Sequence, residues 1–220
     1  MRRALLFCGI LSPLLYAVAD TLAGLSLEGY SFRDQTISEL GAIGVVSKPL
    51  FDAFIVVVYV LFTAFGAGVW KSAGNRRTLR VAAGLLIALG VLALAVGRFA
   101  AMQPRGIEQG LSGALHLIEG AAAMVLLLAA MAFAATALGR RFAIYTVVTV
   151  VIMLSFGGWS TLDIPKVEAG LSTPWIGVKE RIYWYAYQLW FIVLAVKLLR
   201  EQSEPRSILS LPEQMRAMNH

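Results

Sequence analysis

The chain is poor in the residues that most soluble chemistry depends on. It has one cysteine, Cys8, and two histidines in 220 residues. A single cysteine excludes an intrachain disulfide and any cysteine-based metal centre, and it is silent about redox compartment. Only His116 falls in an apolar segment, with His220 far off in the tail, so the histidine-rich site of a membrane hydrolase is excluded. Charge is scarce as well: Asp, Glu, Lys and Arg make up 15% of the chain, against about 25% in soluble domains. No Walker A motif and no dinucleotide fingerprint occurs. No lysine lies deep in an apolar run, which argues against a retinal Schiff base. The net charge of +6 is dispersed and accompanies no recognised nucleic-acid motif, so no nucleic-acid partner is expected.

What fills the chain instead is apolar sequence, 59% of it, above the roughly 45–50% of soluble proteins. Six runs, near 4–25, 50–70, 79–100, 114–138, 142–163 and 180–199, reach the roughly 20 residues a bilayer crossing needs. They predict an all-α fold: a polytopic bundle of about six transmembrane helices in one domain over 1–200, with a tail over 201–220. Only Gly139, Arg140 and Arg141 separate the fourth and fifth runs, which forces an antiparallel hairpin. No internal repeat relates the two halves.

Twelve of the nineteen Lys and Arg residues fall on one side of this topology, and ten of the thirteen acidic residues on the other. The positive-inside rule then places both termini in the cytoplasm, as in a multi-pass protein of the cell membrane. The start, MRRALLFCGILSPLLYAVA, has features of a signal peptide. Apolar sequence nevertheless continues through Leu22 to Leu27, and Pro13 interrupts the run, so a retained first helix is expected. In the tail, Ile208, Leu209, Leu211, Met215 and Met218 have the makings of a short interfacial helix, but Pro205 and Pro212 favour a loosely attached segment.

Polar residues gather at one end of the runs. Ser12, Tyr16 and Asp20 share a helical face, as do Ser112, His116 and Glu119, then Ser155, Trp159 and Asp163, then Arg181, Tyr185 and Gln188. An ion at the centre of a bilayer costs about 2.5–3.5 kcal/mol on insertion scales. Asp20, Arg98, Glu119, Asp163 and Arg181 are therefore expected to face inward and neutralise one another. The loop GYSFRDQTISELGAIG, residues 29–44, would complete the lining with Arg33, Asp34, Ser38 and Glu39. The competing reading is plain: charges at helix ends are often interfacial, and arginine snorkels. That reading is preferred for Glu28, Lys48, Asp52 and Lys166. Trp175, Tyr183, Trp184 and Tyr187 read as an interfacial aromatic belt. Gly66 and Gly68, with Gly84, Gly90 and Gly97, read as helix-packing scaffold.

Three features together resemble the Domain of Unknown Function 998 family of bacterial and archaeal membrane proteins: the 29–44 loop, above all its TISELG run, His116 opening the fourth span, and GVKERIYW at 177–184 opening the sixth. The resemblance covers about residues 4 to 200. It implies a six-span bundle and no established reaction. Ser38, Glu39, His116, Glu180 and Arg181 carry over as motif positions without roles. The segment RFAAMQPRGIEQG, 98–110, departs from the family pattern, so nothing carries over for it.

The leading expectation is a pocket facing away from the cytoplasm that binds a small anionic ligand or lipid headgroup. Arg98 and Arg181 would meet the anion, with His116, Glu119 and Asp163 orienting it. No metal or cofactor is expected. A metal site of His116, Glu119, Asp20 and Asp163 is conceivable, and Ser38 with His116 and an acid could make a hydrolytic triad in principle; no nucleophile-elbow signature supports the latter. The rival readings are a lipid-modifying enzyme with His116 as general base, and a scaffold whose polar residues only tie helices together. A transporter would place charge at the midplane, where this chain is apolar.

Overall fold

A computed structural model describes residues 1–97 and 99–202. Among these residues there is no strand, and six helices are long and apolar enough to cross a membrane. The helices are α1 (Arg2–Ser26), α2 (Lys48–Ser72), α3 (Arg77–Val96), α4 (Gly110–Ala137), α5 (Arg140–Thr161), a short α6 (Ile164–Glu168) and α7 (Ile176–Glu201). All six expected spans are present. The third ends at Val96, four residues before the expected boundary, and the fifth continues into α6. Arg98 and the tail hydrophobics Ile208, Leu209, Leu211, Met215 and Met218 lie outside the described residues.

The six long helices close a ring. α1 packs on α2 and α7, α2 on α3, α3 on α4, α4 on α5, and α5 on α7. Small residues set how closely the ring draws together. A Cβ on Gly68 would sit 2.9 Å from Leu5 of α1, and one on Gly66 would sit 2.8 Å from Ile87 of α3. α2 is thus wedged between two neighbours at backbone distance.

The ring is dense at one end and hollow at the other. Leu6, Phe65, Leu79, Leu86, Met131, Trp190, Leu194 and Leu198 form a continuous buried core in the half holding the α2–α3 and α4–α5 turns. The bundle exterior is apolar where lipid would lie: Ile144, Val147, Val148 and Val151 of α5 are all exposed. In the other half a cavity lies between the helices, and the 27–47 loop crosses over it to α7.

Candidate functional site

The cap comes first, because it answers why a greasy chain carries so polar a loop. Residues Ser38–Gly41 form a 3-10 turn, with Gly29 and Gly44 at positive φ of 74° and 81° turning the chain on either side. The loop lies across the start of α7, whose first amides lack helical partners. The Arg33 carbonyl accepts from the amides of Gly177 (3.0 Å) and Val178 (3.3 Å). The Asp34 carboxylate accepts the Trp175 amide at 3.0 Å, which steadies Trp175 at its unusual φ of 69°. α7 grips back. Arg181 donates to the carbonyls of Phe32 (2.9 Å) and Gln35 (3.3 Å), and the Glu180 carboxylate accepts the Ile37 amide. The two sequence motifs, some 140 positions apart, therefore form one interlocked unit.

Arg105 is the second latch, and sequence reasoning missed it. Its guanidinium makes a two-pronged pair with Glu39, Nε to Oε1 and Nη2 to Oε2, both at 2.9 Å. It also donates to the Leu171 carbonyl and the Thr173 hydroxyl, each at 2.9 Å. Three loops meet on this one side chain. Glu39 is buried at 4% exposure and also accepts the Thr36 amide at 2.7 Å. The signal available in the sequence was Pro104-Arg105-Gly106, a cation held in a turn.

The charges expected to gather as one group divide into separate sites. Asp20 takes two prongs from Arg181 (3.0 and 2.7 Å) and the Tyr185 hydroxyl at 2.7 Å. Asp163 pairs with Lys166 at 2.8 Å and with buried Lys179, whose ammonium lies 5.0 Å from the Trp159 ring centre. Arg33 and Asp34 pair on the surface at 2.8 Å, with Arg33 stacked 5.3 Å over Trp175. Arg33 chiefly, and then the Trp175 amide, hold the Asp34 carboxyl below the usual carboxylate range. Burial pushes the Tyr30 hydroxyl up, against the pull of Arg181. Asp20 and Asp163 are thus engaged elsewhere. Among the described residues no three metal-ligating side chains converge, so the conceivable set of His116, Glu119, Asp20 and Asp163 is not assembled.

Beneath the cap lies a cavity of about 860 Å³. All six long helices contribute to its wall. Its floor is Phe62, Leu127, Met153 and Phe191, shared with the core. Of the predicted site residues, Ser38, His116, Glu119 and Glu180 line it. Arg181 instead borders a shallow recess with Phe32, Arg33 and Tyr185 on another side of α7. The expected stripe of Arg181, Tyr185 and Gln188 therefore splits, because only Gln188 faces the cavity. The aromatic belt also turns out differently: Tyr183, Trp184 and Tyr187 line the cavity, and of the four only Trp175 is largely exposed.

His116 Nδ1 lies 2.9 Å from the Ala100 carbonyl. A carbonyl only accepts, so Nδ1 carries the proton, and Nε2 keeps its lone pair in the neutral ring. Ser38 and His116 make no hydrogen bond to each other. Glu119 makes no hydrogen bond or ion pair to a described residue, and it lines the cavity with His116 of the same helix and Tyr59 of α2. Leu117, Gly120 and Ala121 of α4, with Leu154 and Gly158 of α5, both line the cavity and are exposed. Cavity and exterior therefore meet along these two helices, as they also do at Pro49, Asp52, Ala53 and Val56 of α2.

Comparisons with curated proteins and with solved structures find no match. The family model described as "Protein of unknown function (DUF998)" matches residues 10–197, and the chain belongs to that family.

Proposed function

We propose that the cavity holds one small amphiphile, a lipid or another molecule with an apolar body and a single polar end. In this reading the protein resides in the cell membrane with its cap facing away from the cytoplasm and both termini inside, the orientation that the Lys and Arg distribution favours. The observation that carries the reading is the cavity itself. Its volume of about 860 Å³ falls in the range of small-molecule sites, roughly 300–1,000 Å³. Apolar side chains from every span form most of its wall, and the polar groups His116, Glu119 and Glu180 sit in its capped half. The exposed lining residues along α4 and α5 would give a bilayer molecule a sideways route in without unlatching the cap.

Native mass spectrometry of protein extracted gently from its own membrane reads the occupant directly. One amphiphile per chain is expected. Gly120→Trp is the control: Gly120 lines the cavity, and an added Cβ there meets nothing within 4 Å. The added side chain therefore meets no neighbour at its Cβ, its indole is expected to occlude the opening, and, once folding is checked by circular dichroism, the variant's spectrum should lose the adduct. A wild-type spectrum as bare as that of Gly120→Trp, from equally folded protein, would refute the reading.

A further inference from the structure

Granted that occupant, we infer that its polar end is an organic ammonium group rather than an anion. The described cations on the capped side are engaged. Arg105 is held by Glu39, Arg181 by Asp20 and Lys179 by Asp163, and none of the three lines the cavity. Lys48 is the one described cation that does, and it is bound to the Gly41 carbonyl at 3.1 Å and to Asp52 at 3.0 Å. With Asp52 taken up by Lys48 and Glu168 exposed at the rim, the described carboxylates left inside the cavity are those of Glu119 and Glu180. A phosphate in this space would meet like charge in a poorly screened setting, and a cation would meet opposite charge.

A second, independent set of groups points to a ligand. Tyr187 and Gln188 are more than nine-tenths buried, at 8% and 6% exposure, and both line the cavity. Neither the Tyr187 hydroxyl nor the Gln188 amide bonds to any described residue. Beside them the Trp184 indole N–H, itself buried and without a hydrogen-bond partner among the described residues, also belongs to the cavity wall; buried polar groups are ordinarily partnered, so this cluster is placed for a ligand's polar atoms. The rings beside them form a continuous aromatic wall: Trp184 lies 5.1 Å from Tyr187 and 6.1 Å from Tyr183, centre to centre. Glu119 and Glu180 line the same cavity as Tyr16, Tyr59, Tyr183, Trp184 and Tyr187. Carboxylates set among aromatic rings make a site for an ammonium group: the carboxylates supply charge, and the ring faces attract the methyl or methylene groups around the nitrogen. An aminated lipid headgroup and a free single-chain amine both carry this group, and the recognising chemistry is the same.

The test uses the full-length protein in neutral nanodiscs and measures binding of dodecyltrimethylammonium and dodecylphosphate, which share a chain and differ in charge. Phosphatidylethanolamine and phosphatidylglycerol adducts are compared by native mass spectrometry in the same discs. The expected result is a preference of about tenfold or more for the ammonium partner in at least one pair, falling severalfold in Glu119→Gln. Glu119 has no described partner to lose, so that variant keeps its fold. Glu180→Gln keeps an acceptor for the Ile37 amide and should act in the same direction. Preference in the lipid pair alone assigns the ammonium to a headgroup; preference in the single-chain pair assigns it to a free amine. Equal binding of both charges, preference for the anions, or a preference untouched in both variants would overturn the inference and leave the amphiphile reading standing. Failure of every probe to bind would overturn both.

Discussion

Replacing Arg105 with alanine should unlatch the cap without unfolding the bundle. The substitution strips Glu39 of both guanidinium bonds and frees the Leu171 carbonyl and Thr173 hydroxyl at once. Removing one partner of a fully buried pair costs about 3–5 kcal/mol. Here the cost is smaller: the Arg105 side chain is 20% exposed, and Glu39 keeps the Thr36 amide and hydroxyl. About 2 kcal/mol is a reasonable figure, equal to a roughly 30-fold rise in the open population. Hydrogen exchange reads that population at the Ile37 amide, which is bonded to Glu180 of α7 and is released when the cap lifts. It should exchange about 30-fold faster in Arg105→Ala, while amides of the α2 and α7 core stay unchanged. In Glu39→Gln with Arg105→Ala the acceleration should fall short of the sum of the single effects, because the two act through one interaction. Unchanged exchange at Ile37 in Arg105→Ala would refute the latch.

Further predictions follow from the other pairs and from packing. Arg181→Lys cannot reproduce the two-pronged bond to Asp20, which is 2% exposed, and should lower resistance to unfolding in mixed micelles by about 2–3 kcal/mol; an unchanged midpoint would show that the pair contributes nothing. Asp34 has its folded pKa depressed, so its contribution is present above the ordinary aspartate value and lost as pH falls through the folded one. The difference in melting temperature between wild type and Asp34→Asn should therefore hold steady from pH 8 to about 5 and close below about pH 4; a gap that widened in acid would reverse the assignment. Gly68→Leu must push α1 away, since even its Cβ would sit 2.9 Å from Leu5, and should cost about 1–3 kcal/mol. Gly120→Ala, facing open space, should gain up to about 1 kcal/mol from helix propensity, and equal midpoints for these two variants would contradict the packing described.

The sequence by itself determined the class and the count of the helices. Runs of about 20 apolar residues can satisfy their backbone only as helices in lipid, and the six spans and the short turn before Arg140 follow from that. It also marked the 29–44 loop, His116 and the 177–184 segment as special, and Ser38, His116, Glu119 and Glu180 do line one cavity. Partner choice was not legible. Helical periodicity says which residues share a face, but not which neighbour that face meets. A ring of six helices offers each face a different environment: Arg181 and Gln188 are two turns apart on α7, yet one meets Asp20 and the other the cavity. The aromatic residues of α7 read as an interfacial belt because tyrosine and tryptophan suit an interface and an internal wall equally well. Arg105 was hidden for a related reason. In sequence it is one more loop arginine, and its role exists only because the closed ring brings the 27–47, 97–109 and 169–175 loops within reach of a single guanidinium.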